Sequence, residues 1–173
     1  MADALAAAGA DIVGVSARIE ESDAVATTVR SLGRDFTARA VNFADREAAL
    51  RLGEELAELA PDILLNNAGT FERAPTIDNP LGGWDRVIAV DLSGQFAFTQ
   101  LLARPMLERG SGKIVFTARL LSFQGGINVP GYTAAKFVIV GLTRALADEW
   151  MPLGANVNAI APGYIATDNT QAL

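Results

Sequence analysis

Asp62-Ile-Leu-Leu-Asn66-Asn67-Ala68-Gly69 is the stretch on which the fold turns. Ile63, Leu64 and Leu65 form an unbroken apolar run, too short for a helix and of the right length for a strand buried on both faces. Pro61 closes the segment before it. Behind it, Asn67-Ala68-Gly69 offers little side-chain bulk, so a ligand can approach the backbone. In an open α/β sheet the loop after a strand's C-terminal end is where ligands bind. Taken alone, the same four residues from Asn66 to Gly69 also read as a plain turn.

The pattern continues outward in both directions. Upstream, Met1 to Ala8 is a helix-forming run stopped at Gly9, and Asp11 to Ser16 reads as a buried strand. Ser22 can cap a helix that runs to about Leu32 and ends at Gly33; Phe36 to Val41 is a second strand. Asp45 can cap a third helix, with Ala49, Leu52, Leu56 and Leu59 on one stripe and Arg46, Arg51, Glu54 and Glu58 facing water. Downstream, a polar loop over 67–80 leads to a helical stretch from about Trp84 to Glu108. A strand over Lys113 to Thr117, a helix over Tyr132 to Trp150 and a strand over Asn156 to Ile160 follow, stopped at Pro162-Gly163. Strand–helix alternation of this kind predicts an α/β fold, a doubly wound parallel sheet covered on both faces. The 173 residues carry no linker or repeat, which predicts one domain over 1–173.

Composition narrows the chemistry. With 14 Lys plus Arg against 20 Asp plus Glu, the net charge of −6 argues against a nucleic-acid partner. No uncharged apolar run approaches the roughly 20 residues of a membrane span. The N-terminus carries Asp3 and lacks a basic start, so no signal peptide is expected. The chain has no Cys and no His, which excludes thiolate nucleophiles, imidazole bases and their metal sites. No metal is expected, and a reducing compartment, most simply the cytoplasm, fits this composition. Catalysis is left to Tyr, Lys, Ser, Thr, Arg, carboxylates or a cofactor.

Tyr132-Thr-Ala-Ala-Lys136 places a phenol and an ammonium at i and i+4 on one helix face. An unperturbed Tyr, with a pKa of about 10, is a poor base at neutral pH. A nearby cation favours the tyrosinate, and such a Tyr can exchange a proton with a substrate oxygen. The bare pair is also what an ordinary helix surface produces by chance. The helix that carries it is apolar nearly all round, at Ala134, Ala135, Val138, Ile139, Val140, Leu142, Ala145 and Leu146. One stripe packs on the sheet, and the other is covered by the rest of the chain or by another subunit.

In order and spacing, Asn66-Asn67-Ala68-Gly69, Asp91-Leu92, Tyr132 with Lys136, Asn156-Val-Asn158 and Pro162-Gly163 followed by Thr167 resemble the short-chain dehydrogenase/reductase family. Leu121-Ser-Phe-Gln124-Gly-Gly126, Pro130, Asp148-Glu-Trp150 and Ala161 to Gln171 resemble its sugar-acid branch. The resemblance implies a Rossmann-type fold that binds NAD, with NADP as the alternative, and acts on a sugar acid at a hydroxyl or ketone carbon. Tyr132 would be the acid/base, with Lys136 holding the nicotinamide ribose and tuning it. Asn67, Ala68 and Gly69 would line the adenosine side, and Asn42 stands where many relatives carry an adenine-contacting Asp. Pro162, Gly163, Ile165 and Thr167 would lie near the nicotinamide amide and pyrophosphate. Asp91 occupies the place of the family's active-site Asn. The uncovered apolar stripe of the helix over 132–150 points to a homo-oligomer formed through that helix in the full-length parent.

Other assignments are less exclusive. Ser16 and Arg18 lie where the ribose is read; Arg18 can reach a 2′-phosphate, although a solvated loop Arg is the plainer reading. Arg73 can clamp a substrate carboxylate, with the same plain alternative, and Gln124 is a further substrate candidate.

The sequence departs from the family pattern in three places. Arg119 stands thirteen positions before Tyr132, where the family has a catalytic Ser; Ser122 is the next hydroxyl along. The family's first strand with its Gly-rich turn is not found ahead of Met1, which predicts two open strand edges and a gap in the sheet. The substrate-covering segment and last strand are not found after Leu173. These departures predict an internal piece of a longer enzyme with little or no turnover, or a catalytically silent member acting in binding or assembly.

Overall fold

Two parallel ladders, rather than one continuous sheet, form the centre of the computed structural model, which describes residues 1–163. β1 (Ile12–Ser16) pairs in parallel with β2 (Phe36–Ala40), from Ile12 opposite Phe36 to Ser16 opposite Ala40. β3 (Ile63–Asn66) pairs with β4 (Gly112–Thr117), and β4 with β5 (Ala155–Ile160), all parallel. Among the described residues β1 pairs only with β2 and β3 only with β4, so each keeps one unpaired edge. The two open strand edges expected from the sequence are therefore present among the described residues. A strand needs a neighbour about 4.8 Å away, and no described residue supplies one between β1 and β3.

Among the described residues six α-helices cover the strands: α1 (Ala2–Ala7), α2 (Ala24–Ser31), α3 (Arg46–Ala57), α4 (Leu81–Ile88), α5 (Gly94–Glu108) and α6 (Pro130–Trp150). Asp45 caps α3 as expected, its carboxylate accepting from the Ala48 N–H at 3.0 Å. Ser22 does not cap α2. The N-cap is Asp23, in extended backbone, and the Ser22 hydroxyl donates to Glu20 instead. Leu59 lies beyond the end of α3 and is exposed, because the helix stops at Ala57 and Ala60 turns into the left-handed region.

The single helix expected from Trp84 to Glu108 is in fact three pieces. α4 starts earlier, behind Pro80, and a π-helical turn over Ala89–Ser93 separates it from α5. The wider turn holds Asp91, whose side chain is fully buried. π-turns inside helices recur at functional sites, where they re-aim side chains.

The larger core lies between the three-stranded ladder and α3, α5 and α6. Leu56, Phe98, Leu102, Met106, Ile114, Phe116, Ile139 and Val157 meet there. A smaller core of Ala6, Ala26, Val29 and Phe36 sits under β1 and β2. The two parts are tied by Val15 and Phe43, which pack on the larger core. Phe43 meets Phe98 edge to face with ring centroids 5.3 Å apart, a geometry worth about 0.5–1.5 kcal/mol beyond area burial. Among the described residues, one stripe of α6 is covered: Ala135, Ile139 and Leu146 are buried, whereas Phe137 and Val138 are exposed.

Candidate functional site

The C-terminal ends of β3 and β4 and the first two turns of α6 converge on one spot. β3 delivers Asn66 and then Asn67-Ala68-Gly69; β4 delivers Thr117 and then Arg119. Pro130 occupies the first turn of α6, where its missing N–H costs nothing, and sets the helix that carries Tyr132 and Lys136. Gly131 lets α4 approach this end closely: a Cβ there would lie 3.3 Å from the Trp84 ring.

Lys136 is the hub. Its ammonium donates to the Thr117 carbonyl at 2.9 Å and lies 3.4 Å from Asp91 Oδ1, with both charged side chains buried. The other oxygen of Asp91 accepts from the Thr70 N–H at 2.8 Å. The Thr117 hydroxyl donates to Asn67 Oδ1 at 3.1 Å, so one residue of β4 touches both the loop and the lysine. The structure thus brings Asn67, Ala68, Gly69, Asp91, Arg119, Tyr132 and Lys136 into one neighbourhood.

Burial dominates the titrations here. Desolvation holds the Asp91 carboxyl above its ordinary value, although Lys136 pulls it down. Desolvation holds the Lys136 ammonium below its ordinary value, although Asp91 pulls it up. The Tyr132 phenol is pushed up, first by burial and also by the Asp91 charge, while the Arg119 guanidinium beside it pulls the other way. The cation that pulls Tyr132 toward the tyrosinate here is Arg119. The Lys136 ammonium sits 5.4 Å from the centroid of the Tyr132 ring and is already paired with Asp91.

Ser122 does not stand in for the family Ser. It is buried, and its hydroxyl oxygen accepts from the Arg119 N–H at 3.1 Å, capping the short turn over Leu120–Ser122. Ser16 and Arg18 are exposed at and beyond the end of β1, and Asn42, past the end of β2, closes a local turn by accepting from the Ala44 N–H. Pro162 and Gly163 follow β5 at the same end of the strands. Arg73 and Gln124 lie exposed in the loops beyond the site, and the structure does not join them to it. Ile165 and Thr167 lie outside the described residues.

The sequence reading missed Gln95, Thr99 and Thr117. Gln95 and Thr99 are buried on α5, where Gln95 Nε2 donates to the Ala68 carbonyl at 2.6 Å and the Thr99 hydroxyl accepts from Asn66 Nδ2 at 2.8 Å. For Gln95 and Thr99 a signal was present: Asp91, Gln95 and Thr99 recur every four residues in a mostly apolar stretch.

This arrangement can hold a polar ligand against the 67–70 backbone and exchange a proton at Tyr132 Oη. Comparison with known proteins agrees in kind. The family model described as short chain dehydrogenase matches residues 1–173. A 2-dehydro-3-deoxy-D-gluconate 5-dehydrogenase from Pseudoalteromonas atlantica is 52% identical over 172 residues, which is 98% of this chain and 68% of that protein. A crystal structure from Beutenbergia cavernae, with NADP bound at low occupancy, superimposes with a TM-score of 0.93 at 43% identity, covering 99% of this chain and 69% of that one. A gluconate 5-dehydrogenase from Burkholderia cenocepacia, in complex with NADP and tartrate, gives 0.90 at 32% identity, covering 99% and 68%. Among the described residues, no helix is long and apolar enough to cross a membrane.

Proposed function

The chain belongs to the short-chain dehydrogenase family, and from that premise we propose that it is an NAD(P)-dependent oxidoreductase acting on a sugar acid at a hydroxyl- or ketone-bearing carbon. The observation that carries this reading is the buried Asp91–Lys136 pair beside Tyr132, at the C-terminal ends of parallel strands. The substrate class rests on the relatives, one named for a deoxy sugar acid and one holding tartrate, a hydroxy acid.

The residues present fit a dinucleotide. Asn67 and Gly69 are exposed among the described residues, and Lys136 has its ammonium fixed at the same end of the strands. Asn67, Ala68 and Gly69 would line the adenosine side, with Ser16, Arg18 and Asn42 toward the adenosine ribose and ring. Lys136 would hold the nicotinamide ribose, and Pro162 and Gly163 would flank the amide and pyrophosphate. A bound nicotinamide supplies or accepts the hydride. In oxidation, Tyr132 Oη accepts the hydroxyl proton as the carbon loses hydride; in reduction it donates that proton to the new alcohol oxygen. Arg119 replaces a small neutral donor with a long charged one. It can donate to the reacting oxygen, but the hydroxyl lost is of a kind worth about 10²–10³ in rate, so turnover is low.

The exposed Phe137 and Val138 on α6 and Phe96 on α5 support a homo-oligomer formed through this face. The same face, together with Arg119 at the Ser position, supports a second reading: a silent member acting in binding or assembly.

The test is fluorescence titration of the purified chain with NADH and NADPH, then turnover with a 2-dehydro-3-deoxy sugar acid, beside Arg119→Ser. Binding of a dinucleotide and turnover that rises in Arg119→Ser support the oxidoreductase. Binding without turnover in either chain supports the silent reading, and no binding at all overturns both cofactor assignments.

A further inference from the structure

Three buried side chains on one helical stripe meet one stretch of chain, two of them at its backbone and one at a side chain. Asp91, Gln95 and Thr99 follow each other at intervals of four residues, through the π-turn and into α5, and all three are buried. Facing them, residues 70, 68 and 66 are met in the reverse order. Asp91 accepts from the Thr70 N–H, Gln95 donates to the Ala68 carbonyl, and the Thr99 hydroxyl accepts from the side-chain Nδ2 of Asn66.

Gln95 is the middle contact. Its amide donates to a carbonyl, whereas Asp91 and Thr99 accept, so the peptide units on the two sides of Gly69 are held by groups of opposite polarity. A Cβ at Gly69 would lie 2.8 Å from Asp91 Oδ1, so the loop and the stripe are already in close contact. Asp91 also faces Lys136, which makes the stripe a mechanical link between the loop and the lysine.

We propose that Gln95 is a positioning residue: with Asp91 it fixes the backbone of residues 68–70 as a preformed ligand loop, with Thr99 anchoring the Asn66 side chain at the loop's start, and Asp91 ties that loop to Lys136. The ligand role rests on the dinucleotide reading above, whereas the hold on the loop does not. A preformed loop loses little conformational freedom on binding, so breaking the hold weakens binding without removing any contact to the ligand.

The experiment compares the chain with Gln95→Met, which has similar volume and no donor. Thr99→Val, an isosteric change one turn on, is a second break should Gln95→Met fold poorly. Leu102→Val, a core change on the same helix away from the loop, is the control for general destabilisation. Amide hydrogen exchange at residues 67–70 and NADH affinity are read for each. The expected result is exchange about tenfold faster and affinity about tenfold weaker in the stripe variants, the size of one lost buried hydrogen bond, with neither change in Leu102→Val. Unchanged exchange at 67–70 overturns the hold. Faster exchange with unchanged affinity overturns the ligand role. If the parent chain binds no NADH, the dinucleotide reading fails, and exchange alone decides whether Gln95 fixes the loop.

Discussion

Lys136 Nζ lies 3.4 Å from Asp91 Oδ1, with both side chains buried. A buried pair of this kind contributes little net stability, because each ion has lost its hydration; removing one partner is costly, because the other remains buried and unpaired. Asp91→Leu is therefore expected to destabilise the chain by about 3–5 kcal/mol, and it also frees the Thr70 N–H. A urea midpoint within error of the parent would refute this.

Asp91 also imposes a pH dependence. Its carboxyl is held above 3.8 in the folded chain, so in that window the folded state binds more protons than the unfolded one. This group's contribution to stability is greatest at low pH and declines as pH rises from 3.8 through the elevated folded value. Asp91→Asn, which keeps an acceptor for Thr70, removes that slope. Urea midpoints across this range, parent against variant, check it; parallel curves would contradict it.

Arg119 is the cation that favours the Tyr132 phenolate, working against burial. Arg119→Ser is expected to move the Tyr132 titration to higher pH. The chain has 2 Tyr, so ultraviolet difference titration in a Tyr164→Phe background isolates Tyr132. In any turnover assay the alkaline rise of alcohol oxidation should shift the same way. A shift to lower pH would show that Arg119 does not act on Tyr132.

Gly69 has no room for a side chain. With a Cβ 2.8 Å from Asp91 Oδ1, Gly69→Ala must push the carboxylate off Lys136 or lift the loop. The expected loss is about 1–3 kcal/mol, accompanied by weaker dinucleotide binding. Equal stability and affinity in the variant would show that the carboxylate moves freely.

Gly154 tests the frame rather than the site. It has a φ of +89°, and a Cβ there would overlap the Gly110 carbonyl, a backbone atom that no rotamer change can move aside. Gly154→Ala should cost at least the upper end of about 1–3 kcal/mol by thermal or urea unfolding, with no specific effect on ligand affinity.

Much of the architecture was legible in the chain alone, because helices and strands are local in origin. The short apolar runs at Ile63–Leu65 and Lys113–Thr117, the Asp45 cap and the stop at Gly33 each act within a few residues, and all reappear in the structure. Order and spacing likewise singled out Tyr132, Lys136 and the 66–69 loop. Tertiary structure alone decided what these groups touch. It turned the stretch around Asp91 into a π-helix, set that carboxylate against Lys136 rather than leaving the lysine to Tyr132, and committed Ser122 to a cap. It also set Asp91, Gln95 and Thr99 against residues 66–70 across as many as 33 positions of sequence. Such pairings depend on how burial and charge are shared among distant segments, and no periodicity along the chain encodes that.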